Sequence, residues 1–570
     1  MIPTDRAAFI VLATTIFAGS TAWAAERLPH LDIVLSPVSR DGNVTEVNVE
    51  QRIEAPALPA MSPLVRMPLR ITSIPTPRYD GNALTAFDAA GPLPLTAEDE
   101  PKTPSADYRR WLVSRPTVGD VTVRFSAPPR AVDASTRGGP LFDLVAEAGG
   151  VSGAGISFLA IPPDEKSFDI RVRFDLSAMP AGSRGIWTFG ENDVRRRGSA
   201  ADLAQSFYMA GPVRSTPPDT TSFGTYWLSE PSFDMQTVAE NIRKFYLYAS
   251  EFFSDEGKAY RVFARKNPYP SGGGTALLQS FMFGYSDAAV PTPASLHALL
   301  AHETAHNWPH LSDDDHGATA WYSEGNAEFY SILLSYRAGV YSLEDFEREI
   351  NKRAYQYYAN PLQTLTLAEA GKRFWQDRNA QRVPYGRGFL YLVTVDAKIR
   401  KASGGRRSLD DLVKAMTARR AQGQPHGLSQ WLEMIASELG PEGRADYDAM
   451  TSGARLLPPQ NSFAPCFRPV ETVVRQFDLG LAPEFLQPGA MAIAGLAPQS
   501  PAAKAGIRNG DVFVSLSGAS DAEGDPEATI TVKVRRGEQL LDVTYLPRSG
   551  PVSGYRWARV EDVPASSCNL

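Results

Sequence analysis

His302, Glu303 and His306 form an H-E-x-x-H run, and Trp321, Glu324, Gly325 and Glu328 follow in the next window. On a helix turning about 100° per residue, positions four apart share a face, so His302 and His306 can ligate one ion. Glu303 stands one step round, where its carboxylate can take a proton from a water held on that ion. Zinc in a hydrolytic site takes three protein ligands and keeps a position open, which leaves one ligand to find. Glu324 supplies it, from what reads as a second helix. Leu296, Leu299 and Leu300 precede the motif and argue for a buried helix rather than a chance match on a charged surface. Burying two imidazoles and a carboxylate there is costly unless something pairs them, and a metal ion does so. Five of the seven histidines, His297, His302, His306, His310 and His316, crowd this region. His310 and His316 compete for the third-ligand role, but Pro309 breaks the helix before His310. Pro309 and Ser312 also fail the H-E-x-x-H-x-x-G-x-x-H spacing, so both read as loop histidines.

The elements that must hold these residues are legible as patterns. From about 31 to 220 the chain runs in short alternating segments broken by Pro and Gly: 32–35, 121–125, 155–161 and 168–174. The last, Phe-Asp-Ile-Arg-Val-Arg-Phe, has strand periodicity with one buried face. The expectation is a β-sandwich-like domain, with 55–106 partly irregular. After Pro231 come a helix over 233–253, a strand over 260–265, a Gly-rich loop at 271–274 and an edge strand over 277–283. The metal helix is expected at about 293–307 and the Glu324 helix at about 321–338. Helical patterns then fill 343–358, 365–378, 386–401, 409–419 and 428–439. An α/β lobe thus meets a helical lobe, with the site at their junction, a common place for a cleft.

At 570 residues the chain has room for about three or four domains. Its 43% hydrophobic and 21% charged residues are those of an ordinary globular chain, and a net charge of −7 gives no footprint for nucleic acid. Arg6, an apolar stretch over 7–18 and Ala22-Trp23-Ala24 have the form of a secretory signal peptide cut after Ala24. The expectation is an exported protein, periplasmic or extracellular, with no integral membrane association after cleavage. Cys466 and Cys568, the only cysteines, then form a candidate disulfide tying down the C-terminal tail.

Three separated motifs resemble one family. Residues 302–308 with 321–330 are similar to gluzincin metallopeptidases. Tyr385-Gly-Arg-Gly388, the run over 390–400 and Ser403-Gly-Gly-Arg-Arg-Ser-Leu-Asp-Asp411 resemble the catalytic-tyrosine segment of bacterial glycyl aminopeptidases. Ser500-Pro-Ala-Ala-Lys-Ala-Gly506 through Asp511 is similar to a PDZ domain. The resemblance implies a multidomain α+β chain: signal peptide 1–24, β-rich domain 25–225, thermolysin-like catalytic domain 226–458, PDZ-like domain 459–550 and tail 551–570. It implies one Zn2+ on His302, His306 and Glu324, Glu303 as general base and then acid, and Tyr385 as donor to the developing oxyanion. Glu328, four after Glu324 on the same face, would orient a ligating histidine.

Two departures bear on function. An aminopeptidase needs a carboxylate for the substrate's free amine, and the Gly-rich segment through Thr275 and Gln279 has none. Between Gly518 and Thr529 there is little room for the helix that walls a PDZ peptide groove, and Gly524, Asp525 and Pro526 disfavour it. The expected activity is zinc-dependent hydrolysis of a peptide or protein substrate, with end or internal cleavage open and a peptide ligand of the PDZ-like domain as a further partner. The alternative is a non-catalytic peptide-binding scaffold that keeps the peptidase fold.

Overall fold

The computed structural model describes residues 27–570 apart from Ser73, 104–105, Ser135, 137–138, Asp164, 270–272, 288–289, 314–315, Trp375 and 487–490. The expected signal peptide and residues 271–272 of the expected 271–274 loop lie outside the described residues.

The N-terminal part is built on sheets. In a seven-stranded sheet, His30–Arg40 pairs parallel with Ser167–Phe174 and antiparallel with Asn43–Ile53. Alternation does the sorting: Phe168, Ile170, Val172 and Phe174 are buried while the intervening charged residues are not. A four-stranded sheet containing Pro63–Ile71 and Ala106–Val113 lies against it, and Val65, Met67 and Trp111 share one core with Leu31, Ile33 and Val123. The stretch expected to be irregular therefore holds strands at Pro63–Ile71, Leu84–Asp88 and Leu95–Asp99. Its prolines do not forbid this, because Pro63 opens a strand and Pro68 stands at a register shift. The strand expected at 155–161 lies instead at Gly150–Ala154, and Gly155–Ser157 is a 3-10 turn. A Cβ on Gly155 would come 1.9 Å from the Leu203 carbonyl, so the chain leaves the sheet there under a close backbone contact.

A second layer system carries the site. Five strands run in the order Arg214–Thr216, Phe223–Trp227, Tyr260–Lys266, Ser280–Tyr285, Gly274–Leu277. The edge strand is thus 274–277, not 277–283. The chain turns at Leu278 and Gln279, the latter at φ 48°, and the apolar Phe281–Phe283 run goes back into the sheet, fully buried. The helix Met235–Phe252, capped by Asp234, covers one face.

The helical lobe follows the predicted pattern at 343–358, 409–419 and 428–439, but the helix expected at 365–378 is shorter, Leu367–Arg373, and Pro441–Ser452 is a further helix. Ser342, Thr366 and Ser408 each accept from the N3 or N2 amide of the helices Leu343–Tyr358, Leu367–Arg373 and Leu409–Ala421. The helix expected at 386–401 is longer, Arg378–Ser403, because Asp377 caps it and the chain continues helically through Pro384. A Pro in a helix interior normally marks a boundary.

The C-terminal part has a three-stranded sheet (Val512–Ser517, Ile530–Arg536, Gln539–Tyr545) and a two-stranded ribbon. The ribbon pairs Phe467–Phe477 with Arg548–Arg559, so residues 551–559 of the segment expected as a tail are strand. Trp557 fixes it to the helical lobe: its amide donates to Asn351, whose amide nitrogen donates back to the Trp557 carbonyl. Cys466 and Cys568 are joined by a disulfide. The helix after Gly518 has only six residues, Ala519–Gly524, and packs toward the helix Leu343–Tyr358. Residues 483–486 form a 3-10 turn. A PDZ-type peptide groove with a full helical wall is not formed by the described residues. No helix among them is long and apolar enough to cross a membrane.

Candidate metal centre

The metal helix spans Pro293–Ala305, with Thr292 and Ser295 forming a reciprocal cap, Pro293 at its first position and His306 as its C-cap in helical conformation. His302 and His306 therefore keep the four-residue spacing on one face. The second helix, His316–Arg337, crosses it and brings Glu324 to the pair. The two Nε2 atoms are 3.3 Å apart, and Glu324 Oε2 lies 3.3 Å from one and 3.5 Å from the other. Three donors tetrahedrally arranged about an ion at about 2.0–2.1 Å stand about 3.3 Å apart, so this triangle fits one zinc ion. Glu324 Oε2 is buried and has no hydrogen-bond partner, an orphaned acceptor that a cation would satisfy. Burial alone would push the Glu324 carboxyl up, but the two imidazoles outweigh it and hold it well below the usual carboxylate range.

Around this triangle the other residues take distinct places. Glu328 is buried, and its Oε1 lies 3.6 Å from His302 Nδ1, while its Oε2 accepts from Arg353 Nε. Arg353 also reaches Glu349 at 3.7 Å. Burial works against both charges, but Arg353 and His302 keep the Glu328 carboxyl below its ordinary value. Glu303 lines a cleft of ≈ 1590 Å³ together with His302, Glu328 and Tyr385. The Tyr385 ring stacks on His302 at 5.9 Å between centres, 7° from parallel. Burial and the Glu324 charge push the Tyr385 hydroxyl far up, so it remains a proton donor.

The crossing of the Glu324 helix with the tyrosine helix, Arg378–Ser403, depends on two glycines. A Cβ on Gly388 would come 2.1 Å from the Trp321 carbonyl and 2.8 Å from Gly325 Cα, and one on Gly325 would meet Gly388 at 2.6 Å. Glu324 precedes the first contact point and Tyr385 lies one turn before the second. The backbone contact is thus what sets Tyr385 against Glu324.

The remaining candidates fall away from the centre. His310 is exposed, with its ring against His426, and His316 opens the Glu324 helix. His297 is buried and bonded to Ser335 Oγ at 2.8 Å. Thr275 and Gln279 do not offer acceptors to the cleft. Thr275 is buried and accepts from the Leu141 amide, which pins the N-terminal part to the edge strand, while Gln279 sits in the turn. Sequence reasoning missed Arg353, Arg382, Glu523 and the role of the glycine pair. Glycine inside a helical pattern was the available signal, since it is costly there without a packing reason.

No protein-family model matches the chain, nor does any curated protein. Among solved structures it resembles an aminopeptidase N family protein from Idiomarina loihiensis at 13% identity, with 92% of this chain and 97% of that one covered and a TM-score of 0.61. It also aligns with an M1 zinc metallopeptidase from Deinococcus radiodurans bound to a Tyr-Ser-Ala substrate (18% identity, 76% and 95% covered, TM-score 0.43). Yeast LTA4 hydrolase aligns at 14% identity, 76% and 69% covered, TM-score 0.45. The first likeness is one of fold over nearly the whole of both chains, and the other two are too distant to carry an argument.

Proposed function

We propose that the protein is a zinc metallopeptidase that hydrolyses peptide bonds. The observation that carries this reading is the buried triangle of His302 Nε2, His306 Nε2 and Glu324 Oε2, with an acceptor nothing else satisfies. His302, His306 and Glu324 would hold the ion, and zinc when bound polarises a carbonyl and lowers the pKa of water. Glu328, held by Arg353, keeps the His302 proton on Nδ1, so Nε2 presents its lone pair inward. Glu303 removes a proton from the attacking water and delivers it to the leaving nitrogen. Tyr385 donates a hydrogen bond to the oxygen of the attacked carbonyl as negative charge builds on it, which a phenol does without adding charge of its own.

The substrate is a peptide or protein. Cleavage does not depend strongly on a free amino terminus: the edge-strand segment through Thr275 and Gln279 carries no carboxylate, and Glu328 is already held between Arg353 and His302. The mature chain is exported, periplasmic or extracellular, a reading supported by the signal-like start and by a disulfide suited to an oxidising compartment. Amino-terminal sequencing of the exported protein should begin at Ala25.

Hydrolysis of a peptide library by zinc-loaded wild type and Glu303→Gln tests the reading. The wild type should cleave, and the variant should bind the same peptides uncut. Equal binding by both with no cleavage by either would favour the scaffold alternative, and cleavage untouched by the substitution would remove Glu303 from its role.

A further inference from the structure

Arg382 carries chemistry that the proposed reaction does not use. It lies three residues before Tyr385 on the tyrosine helix, hence on the same face one turn earlier. Its Nε donates to Glu523 Oε2 at 2.9 Å, and Glu523, 5% exposed, also accepts from Arg378. Two guanidinium groups thus share one carboxylate, and the buried Glu328 carboxylate also bears on the Arg382 charge. The Arg382 guanidinium lies 5.0 Å from the centre of the Tyr385 ring, which itself stacks on His302 at 5.9 Å. An arginine has five N–H donors, and Arg382 spends only its Nε on protein. Its two terminal nitrogens make no hydrogen bond among the described residues, although the side chain lines the cleft beside Tyr385, His302 and Glu303.

A planar fork of free donors on a side chain 29% exposed, facing an open cleft, is suited to bidentate capture of a carboxylate. We infer that Arg382, fixed by Glu523 from the C-terminal part of the chain, binds a carboxylate of the peptide substrate close to the bond being cleaved. The two steps from Arg382 to His302 span no more than about three residues of extended chain. The carboxylate is therefore the substrate's own C-terminus in a short peptide, or an acidic side chain in a longer one. This inference rests on the peptidase reading. Lys352 is the competing cation: its stem lies against Gly524 on another wall of the cleft, and it has no ion-pair partner among the described residues.

The test compares kcat/KM on short peptides that the wild type cleaves, each as the free acid and as the C-terminal amide. Amides carrying Asp or Asn at the last position separate the two carboxylate sources. Amidation should cost the wild type about ten- to a hundredfold, and less than about threefold in Arg382→Gln. An Asp amide that recovers the loss identifies a side-chain carboxylate as equally acceptable. The acid-to-amide ratio within one variant does not depend on the fraction folded, so a destabilised variant still reports. A wild type indifferent to amidation overturns the inference, as does a preference that survives Arg382→Gln or vanishes in Lys352→Met instead. If zinc-loaded wild type cleaves no peptide, the peptidase reading fails separately. Calorimetric binding of the same acid and amide pairs then decides Arg382 by the same ratio.

Discussion

A single methyl group at Gly388 is expected to disorganise the centre without touching a ligand. In Gly388→Ala the new Cβ would stand 2.1 Å from the Trp321 carbonyl oxygen and 2.8 Å from Gly325 Cα. Non-bonded carbon atoms pack at about 3.5–4.0 Å, so the two helices must part by roughly 1 Å. Both opposing atoms are backbone and cannot rotate aside. Overpacking of this kind costs about 1–3 kcal/mol, and the rigid contact places this case toward the upper end. The same displacement carries Tyr385 away from Glu324 and His302, and a misplacement of about 1 Å can lower turnover about a hundredfold. Urea unfolding of wild type and variant gives the first number, and kcat on zinc-loaded samples of each gives the second. A variant within about 0.5 kcal/mol of wild type with unchanged kcat would refute the claim that this crossing positions the site.

Three other outcomes follow from the same geometry. Glu328→Gln should weaken zinc binding about 10–100-fold in a chelator competition, and unchanged affinity would mean that His302 needs no carboxylate behind it. Acetylating the amino terminus of a substrate should cost less than about tenfold in kcat/KM, and a loss near a hundredfold would place an amine anchor elsewhere in the fold. Burial pushes the His297 imidazole down to about 4. As pH falls through the ordinary value near 6.5 the unfolded chain takes up that proton first, so stability declines from there to about pH 4 and the term then levels off. The whole term is about 3 kcal/mol at most. The stability of wild type measured against His297→Gln should fall as pH drops across that window, and parallel curves would exclude the effect.

Some of this was readable from residues in order. The metal triangle was, because a four-residue spacing on a helix fixes two ligands to one face and the choice of a third is narrow. The helical lobe was too, since Ser342, Thr366 and Ser408 announce their helices and apolar periodicity extends them. The edge strand was misplaced because Phe281–Phe283 is buried on both faces and carries no alternation to set its ends. Residues 55–106 read as irregular because proline at a strand start or bulge looks the same in sequence as proline in a loop. The Gly325–Gly388 contact and the Arg382–Glu523 pair join residues 63 and 141 apart, and only the fold brings them together. The Thr275 bond to the Leu141 amide, 134 positions away, likewise depends on the fold alone.

The central claim is that His302, His306 and Glu324 hold one zinc ion. Zinc content per chain, measured by mass spectrometry on protein dialysed against metal-free buffer, tests it directly when wild type, Glu303→Gln and Glu324→Gln are compared. The account predicts one zinc in wild type and in Glu303→Gln, because that carboxylate is not a ligand, and a loss of most of it in Glu324→Gln. Full zinc retention in Glu324→Gln, or a wild type that holds none while folded, would contradict it.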